Sequence, residues 1–252
     1  LAIGVVMIYS ASSFYSMFHY NDSMFYLKKQ GIMAVIGLVA MFFMMNFDYH
    51  RLKKITPKLL IITIPLLIAV FFFPAVNGAK RWIQLGGLSF QPSELTKYVV
   101  VLFLALSIDI KGDGIKDFWT GIVPYLALSG FFAALVLAEK NLSIAAIIMI
   151  VTFILLFISG GKIKHLFGIV LPTLLTLAIF FIFSSDYRRA RMLNFIDPWK
   201  DAAGDGYQLI QSFYALGSGG ITGLGLGQSR QKTLYMPEPH NDFIFSIIGE
   251  EL

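Results

Sequence analysis

SIAAIIMIVTFILLFIS (143–159) contains no charged residue and is about as long as one helical crossing of a bilayer. Its neighbours repeat the pattern. Apolar runs of similar length fall at 1–18, 31–47, 58–74, 92–108, 119–138 and 165–183, with an eighth beginning near 241, and short polar connectors separate them. Composition agrees. The chain has 252 residues, of which 57% are hydrophobic and 14% charged, with mean hydropathy +0.73, whereas a soluble domain carries about 25% charged residues. The pattern predicts an all-α polytopic membrane protein. Pro65, Pro124 and Pro172 fall inside the runs, where neighbouring helices can satisfy the backbone groups a proline frees. With no cysteine, disulfides and thiolate metal sites are excluded. The net charge of +5 is better read through loop topology than as a nucleic-acid signal. The apolar start at Leu1 and the half-begun helix NDFIFSIIGEEL (241–252) lead us to expect further spans beyond Leu252 and a segment before Leu1.

Basic residues in the short loops orient the chain. Arg51, Lys53, Lys54, Lys58, Lys111, Lys116, Lys162 and Lys164 outnumber Lys28, Lys29, Lys80, Arg81 and Lys140 on the other side. The first set is expected in the cytoplasm, which puts loop 75–91 and the long loop 184–240 outside. Connections above about 12–15 residues are usually functional or disordered, so 184–240 is a candidate working part. Within it, YQLIQSFYAL (207–216) is apolar enough to lie on or dip into the membrane surface. GSGGITGLGLGQS (217–229) is too glycine-rich for a stable span.

Three polar blocks could carry chemistry. In NGAKRWIQLGGLSFQPSELTK (77–97), Lys80 and Arg81 precede an interfacial Trp82, and Pro92 suits the first turn of a helix. Glu94 and Lys97, three apart, share a face at that helix's outer end. They read either as a structural ion pair or as a cation held ready for an anionic ligand. In SSDYRRARMLNFIDPWKD (184–201), Arg188, Arg189 and Arg191 oppose the positive-inside tendency, which suits a bidentate phosphate partner or lipid headgroups. Asp197, Asp201 and Asp205 are spaced four apart among Pro198, Gly204 and Gly206, without the ligand spacing of a calcium loop. One carboxylate acting as general base fits better, with Asp197 and Asp205 shaping turns. In GLGLGQSRQKTLYMPEPHNDFIFSIIGEEL (223–252), Arg230 and Lys232 accompany Glu238, His240 and Asp242. A lone interfacial histidine is more often structural than a ligand. No GK[ST] follows the glycines, so an ATP loop is excluded.

Taken together, GVVMIYSASS (4–13), NGAKRWIQLGG with FQPSELTK, DPWKDAAGDGYQLIQS (197–212), and GLGLGQSRQK with YMPEPHNDFIFSIIGEE resemble the SEDS family, the shape, elongation, division and sporulation proteins typified by FtsW, RodA and SpoVE. The blocks run in family order along nearly the whole chain, and DPWKD with GDGYQ leans toward the division and sporulation branch. The resemblance implies one transmembrane domain of the ten-helix type, of which this chain would hold about eight spans. It implies a peptidoglycan glycosyltransferase that polymerises lipid II at the outer face of the bacterial cytoplasmic membrane. It also implies a class B penicillin-binding protein as crosslinking partner, contacts with other divisome or elongasome proteins, and no nucleic acid. The family's essential aspartate maps onto Asp201; Asp197 sits where some relatives carry Asn. Arg81, Glu94, Lys97, Arg188, Arg191, Gln211, Ser212, Lys232, His240 and Asp242 form the expected substrate-binding set. Ala202 departs from the usual proline after the aspartate, and EKNLS (139–143) stands where relatives commonly show a PDLG-like break.

The chemistry implied is attack of an acceptor sugar hydroxyl on an anomeric carbon with polyprenyl pyrophosphate leaving. Pyrophosphate needs no acid, so one base and positive charge suffice, whereas glycosidases need paired carboxylates. A divalent cation, Mg or Mn, fits beside the pyrophosphate, with Asp201 sharing in its binding. The rival readings are a lipid II flippase, which Glu94, Lys97 and a broken loop would also serve, and a non-catalytic division scaffold.

Overall fold

The computed structural model describes residues 1–76, 78–85, 88–204 and 206–252. Every apolar run read from the sequence is a helix: α1 Ala2–Tyr20, α2 Phe25–Met45, α3 Leu52–Ala69, α4 Pro92–Lys111, α5 Phe118–Ala138, α6 Leu142–Ile158 and α7 Ile163–Phe183. The long loop contributes α8 Asp186–Ile196 and α9 Tyr207–Gly219, and the chain closes in α10 Ile244–Glu251. Phe25–Met45, Tyr49–Phe72, Phe118–Ala138 and Ile163–Phe183 are each long and apolar enough to cross a membrane. Two helix starts fall clearly earlier than the sequence reading. Helix α2 starts at Phe25 rather than 31 and carries Lys28 inside it, paired with Asp22 at 2.8 Å. The third helix is preceded by a turn at Tyr49–Arg51, where Asp48 Oδ1 accepts from the His50 amide at 3.0 Å.

The chain divides into two compact units, Leu1–Phe47 with Ile179–Leu252, and Asp48–Ala178. In the second unit α3 packs on α4, α5 on α6, and α4 on α6. Leu67, Val100, Leu104, Phe132, Val136, Ile148 and Leu156 form its core. Lipid is as apolar as leucine, so packing contacts and interhelical hydrogen bonds must hold such helices together. One such bond is buried here: Thr152 Oγ1 donates to Ser129 Oγ at 2.8 Å, joining α6 to α5. Loop 75–91 adds an antiparallel hairpin, β1 Ile83–Leu85 with β2 Leu88–Phe90, in register Ile83 to Phe90. Pro92 then opens α4 at its first helical position.

In the first unit α1 packs with α2 and α10, and α9 lies along α10. Met7, Ala11, Ala215, Met236 and Ile247 make its core. Helices α9 and α10 approach so closely that a Cβ at Gly219 would fall 2.7 Å from the Glu250 Cα. Only glycine fits there. The stretch judged too glycine-rich for a span is irregular beyond Gly219. Its Gly220, Gly223, Gly225 and Gly227 have φ of +58°, +67°, +102° and +82°, the left-handed region that glycine enters without steric cost.

Candidate functional site

In the unit Asp48–Ala178, the expected residues gather where loop 75–91 meets the start of α4 and the turn between α5 and α6. Glu94 and Lys97 pair at 2.7 Å, with the lysine side chain 20% exposed and the glutamate 49%. Arg81 turns its guanidinium onto backbone. Its Nε donates to the Glu139 carbonyl at 3.3 Å and an Nη to the Lys140 carbonyl, capping the C-terminal end of α5. Lys140 returns the contact to the Gly78 carbonyl at 3.2 Å. Asn141 caps α6 through its side chain, which accepts from the Ile144 amide. Lys140 sits at φ +61°, in the left-handed region, so the turn between the two helices reverses sharply at this residue.

That turn also buries a carboxylate that sequence reasoning passed over. The Glu139 side chain is 1% exposed, and neither carboxyl oxygen makes a hydrogen bond of good geometry. Burial pushes its pKa up to about 7, against weaker opposing pulls from the Ser93 hydroxyl and the Arg81 charge.

In the unit Leu1–Phe47 with Ile179–Leu252, Arg188 reaches Ser184 Oγ at 2.8 Å, Arg189 pairs with Asp186 at 3.3 Å, and Arg191 is exposed on α8. The helix ends at Ile196, and a tight turn Pro198–Asp201 follows. Asp201 is exposed, and its carbonyl accepts from the amides of Gly204 and Gly206 at 3.2 and 3.1 Å. The chain doubles back over the aspartate. A Cβ at Gly204 would lie 2.6 Å from Asp201 Oδ1, and one at Gly206 would lie 2.9 Å from the Asp201 carbonyl oxygen. Gly206 is required by this fold of the loop, because a Cβ there would strike backbone, whereas a Cβ at Gly204 would meet only the movable carboxylate. Asp197 pairs with Lys200 at 3.5 Å, a local turn contact; Asp205 lies outside the described residues. Trp199 packs edge-on against Tyr214 of α9, with ring centroids 6.0 Å apart. On α9, Ser212 is buried and donates to the Leu209 carbonyl at 2.8 Å, while Gln211 is partly exposed.

Lys232 and His240 are both drawn inward. Lys232, 3% exposed, places its ammonium 2.7 Å from Glu251 Oε1 and 3.1 Å from Ser10 Oγ. His240, 7% exposed, lies between Tyr26 and Tyr15, with ring centroids at 4.1 and 5.2 Å and no hydrogen-bond partner for either nitrogen. Burial lowers its pKa, partly offset by Glu238, and so favours the neutral imidazole. Asp242 is exposed. Glu250 and Glu251 are buried and were not singled out from the sequence. The signal was available: two consecutive carboxylates in an apolar helix are costly unless they serve a purpose.

A multi-pass helical membrane protein with a long, glycine-braced polar loop between its seventh and last helices is the class these features define. Comparison places it within that class. A family model described as a cell cycle protein, covering FtsW, RodA and SpoVE, matches residues 1–252, and the chain belongs to that family. It is 41% identical over 253 residues to a probable peptidoglycan glycosyltransferase FtsW of Geobacter sp. (strain M18), covering 99% of this chain and 68% of the relative. It is 39% identical over 258 residues to the stage V sporulation protein E of Bacillus subtilis (strain 168), covering 100% of this chain and 69% of the relative. Among solved structures, one described as a peptidoglycan synthase complex that coordinates polymerization and crosslinking matches with TM-score 0.70 and 30% identity, over 99% of this chain and 69% of that one. The rod shape determining protein RodA of Thermus thermophilus matches with TM-score 0.53 and 26% identity, over 70% of this chain and 57% of that one.

Proposed function

We propose that this chain is a peptidoglycan glycosyltransferase that polymerises lipid II, with Asp201 as the general base. The observation that carries the assignment is the Asp201 turn: an exposed carboxylate on a loop that doubles back on itself, with Gly206 where a Cβ would strike the Pro198 and Asp201 carbonyl oxygens. The 41% identity to a probable peptidoglycan glycosyltransferase supports the reaction class.

In this reading the Asp201 carboxylate accepts the proton of the acceptor sugar hydroxyl as its oxygen attacks the anomeric carbon of the donor. The bond from that carbon to the pyrophosphate oxygen breaks, and the pair of electrons leaves with the polyprenyl pyrophosphate. Guanidinium and ammonium groups stabilise the charge that develops on the leaving group, and Arg191, exposed on α8 before the turn, is the first candidate. The Glu94–Lys97 pair of the other unit keeps both readings the sequence gives it, a structural ion pair or a cation held ready for an anionic ligand. The turn faces the outer side of the membrane, as the asymmetry of basic residues in the short loops supports.

A divalent cation also fits this proposal. Magnesium is commonly held by one or two carboxylates plus substrate phosphates, and Asp201 would be the protein ligand; among the described residues no three carboxylate, imidazole or thiolate groups converge. When bound, it would neutralise charge on the pyrophosphate. A class B penicillin-binding protein is the proposed partner, in keeping with the synthase complex that the chain resembles.

Two assays on the full-length protein with that partner decide between polymerase and flippase. Labelled lipid II should be converted into glycan polymer. Transfer of lipid II between leaflets with no polymer would overturn the proposal.

A further inference from the structure

The Lys232–Glu251 pair lies in a buried polar cluster that ties three separate parts of the chain together. Glu251 accepts from Ser10 Oγ of α1 at 2.7 and 2.8 Å, from the Ser229 amide at 3.3 Å and from Lys232 Nζ at 2.7 Å. The neighbouring Glu250 accepts from the Ser229 hydroxyl, from the Arg230 amide at 3.0 Å and from Ser218 Oγ of α9 at 3.1 Å. Backbone adds to it: the Leu224 and Gly225 amides donate to the Glu250 and Glu251 carbonyls at 2.9 and 3.0 Å. The ammonium is 3% exposed and directs two of its three donors at Ser10 and Glu251.

The clamp reaches the candidate base through a short chain of contacts. Three residues after Lys232, the Tyr235 carbonyl accepts from Tyr207 Oη at 2.8 Å. Tyr207 opens α9, and its amide donates to the Gly204 carbonyl at 3.0 Å. The next amide back, that of Gly206, donates to the Asp201 carbonyl at 3.1 Å. Every link lies in the unit Leu1–Phe47 with Ile179–Leu252.

We propose that Lys232 and Glu251 are positioning residues, which fix segment 229–235 and, through the Tyr235–Tyr207 hydrogen bond, set the orientation of the turn that carries Asp201. This rests on the assignment of Asp201 as the base. Removing one partner strands a buried charge, whereas removing both leaves a neutral site of similar shape. A small misplacement of a reacting group costs on the order of 10²-fold in rate.

The test uses full-length protein with its penicillin-binding partner, and reads kcat and KM for lipid II together with the unfolding temperature. Lys232→Met should lower kcat by roughly 10²-fold, with KM unchanged and a lower unfolding temperature. Adding Glu251→Gln to it should restore both kcat and the unfolding temperature most of the way. Tyr207→Phe, which removes one exposed hydrogen bond, should fold normally and lower kcat without moving KM. A rise in KM for Lys232→Met that the second substitution does not relieve would make Lys232 a substrate ligand and overturn the proposal. Full kcat in Tyr207→Phe, or a double variant that does not fold, would overturn it too. Absence of polymer from the wild-type protein would instead remove the assignment on which it rests.

Discussion

Replacing Glu139 with glutamine should stabilise the protein above neutral pH and leave it unchanged in acid. The carboxyl is 1% exposed and makes no hydrogen bond of good geometry, and burial raises its pKa from 4.5 to about 7 against weaker pulls from the Ser93 hydroxyl and the Arg81 charge. A folded-state pKa above the unfolded value means that the native protein holds the proton more tightly. Stability is therefore fully present below about pH 4.5, falls as pH rises towards 7, and is flat above it. The gap is worth about 3 kcal/mol at 1.36 kcal/mol per pH unit. Glutamine presents a neutral group of the same shape at every pH and so avoids that loss. For a chain of this size about 1 kcal/mol moves the unfolding temperature by roughly 2–4 °C. Unfolding of the detergent-solubilised protein, followed by tryptophan fluorescence from pH 4.5 to 8, should show the variant pulling ahead of wild type by several degrees as pH rises. Parallel pH profiles would refute the reasoning, because a carboxyl that stayed ionised through folding would leave glutamine no pH-dependent advantage.

Gly204→Ala would put a methyl group 2.6 Å from Asp201 Oδ1, and the flexible carboxylate must swing away. Polymerisation should fall by roughly 10–10²-fold while the unfolding temperature changes little; activity near wild type would mean that the resting place of this carboxylate does not matter. Arg191→Ala should weaken lipid II binding by about tenfold, the worth of one charge-assisted hydrogen bond, whereas Arg51→Ala, from a loop assigned to the opposite side, should not. Equal effects in a direct binding measurement would argue against a pyrophosphate site on α8.

The membrane architecture was legible because hydropathy is a local property. The run 143–159 and helix α6 differ by one residue at each end. Charges at helix ends were less legible: Lys28 looked like connector, yet Asp22 pairs with it and the helix starts at Phe25. The Asp201 turn could be anticipated from proline and glycine placed around an aspartate, since turn chemistry acts over a few residues. The clamp could not. Ser10 and Glu251 are 241 residues apart, and neither residue's neighbours hint that the other will cap it. Lys232, read as a substrate cation by its company of polar residues, is paired in the structure with Glu251, a partner its own neighbours do not announce. Glu139 was overlooked for a related reason. Its helix is the apolar run before it, and only the folded turn shows that Arg81 spends its donors on the carbonyls of residues 139 and 140 and leaves the carboxyl without a hydrogen bond of good geometry.

The most direct test of the account is lipid II polymerisation by the full-length protein with its penicillin-binding partner, comparing wild type with Asp201→Asn. Loss of the base predicts no detectable glycan polymer from a variant that unfolds at the wild-type temperature and still binds the partner. Full-length polymer from Asp201→Asn at the wild-type rate would show that Asp201 is not the base.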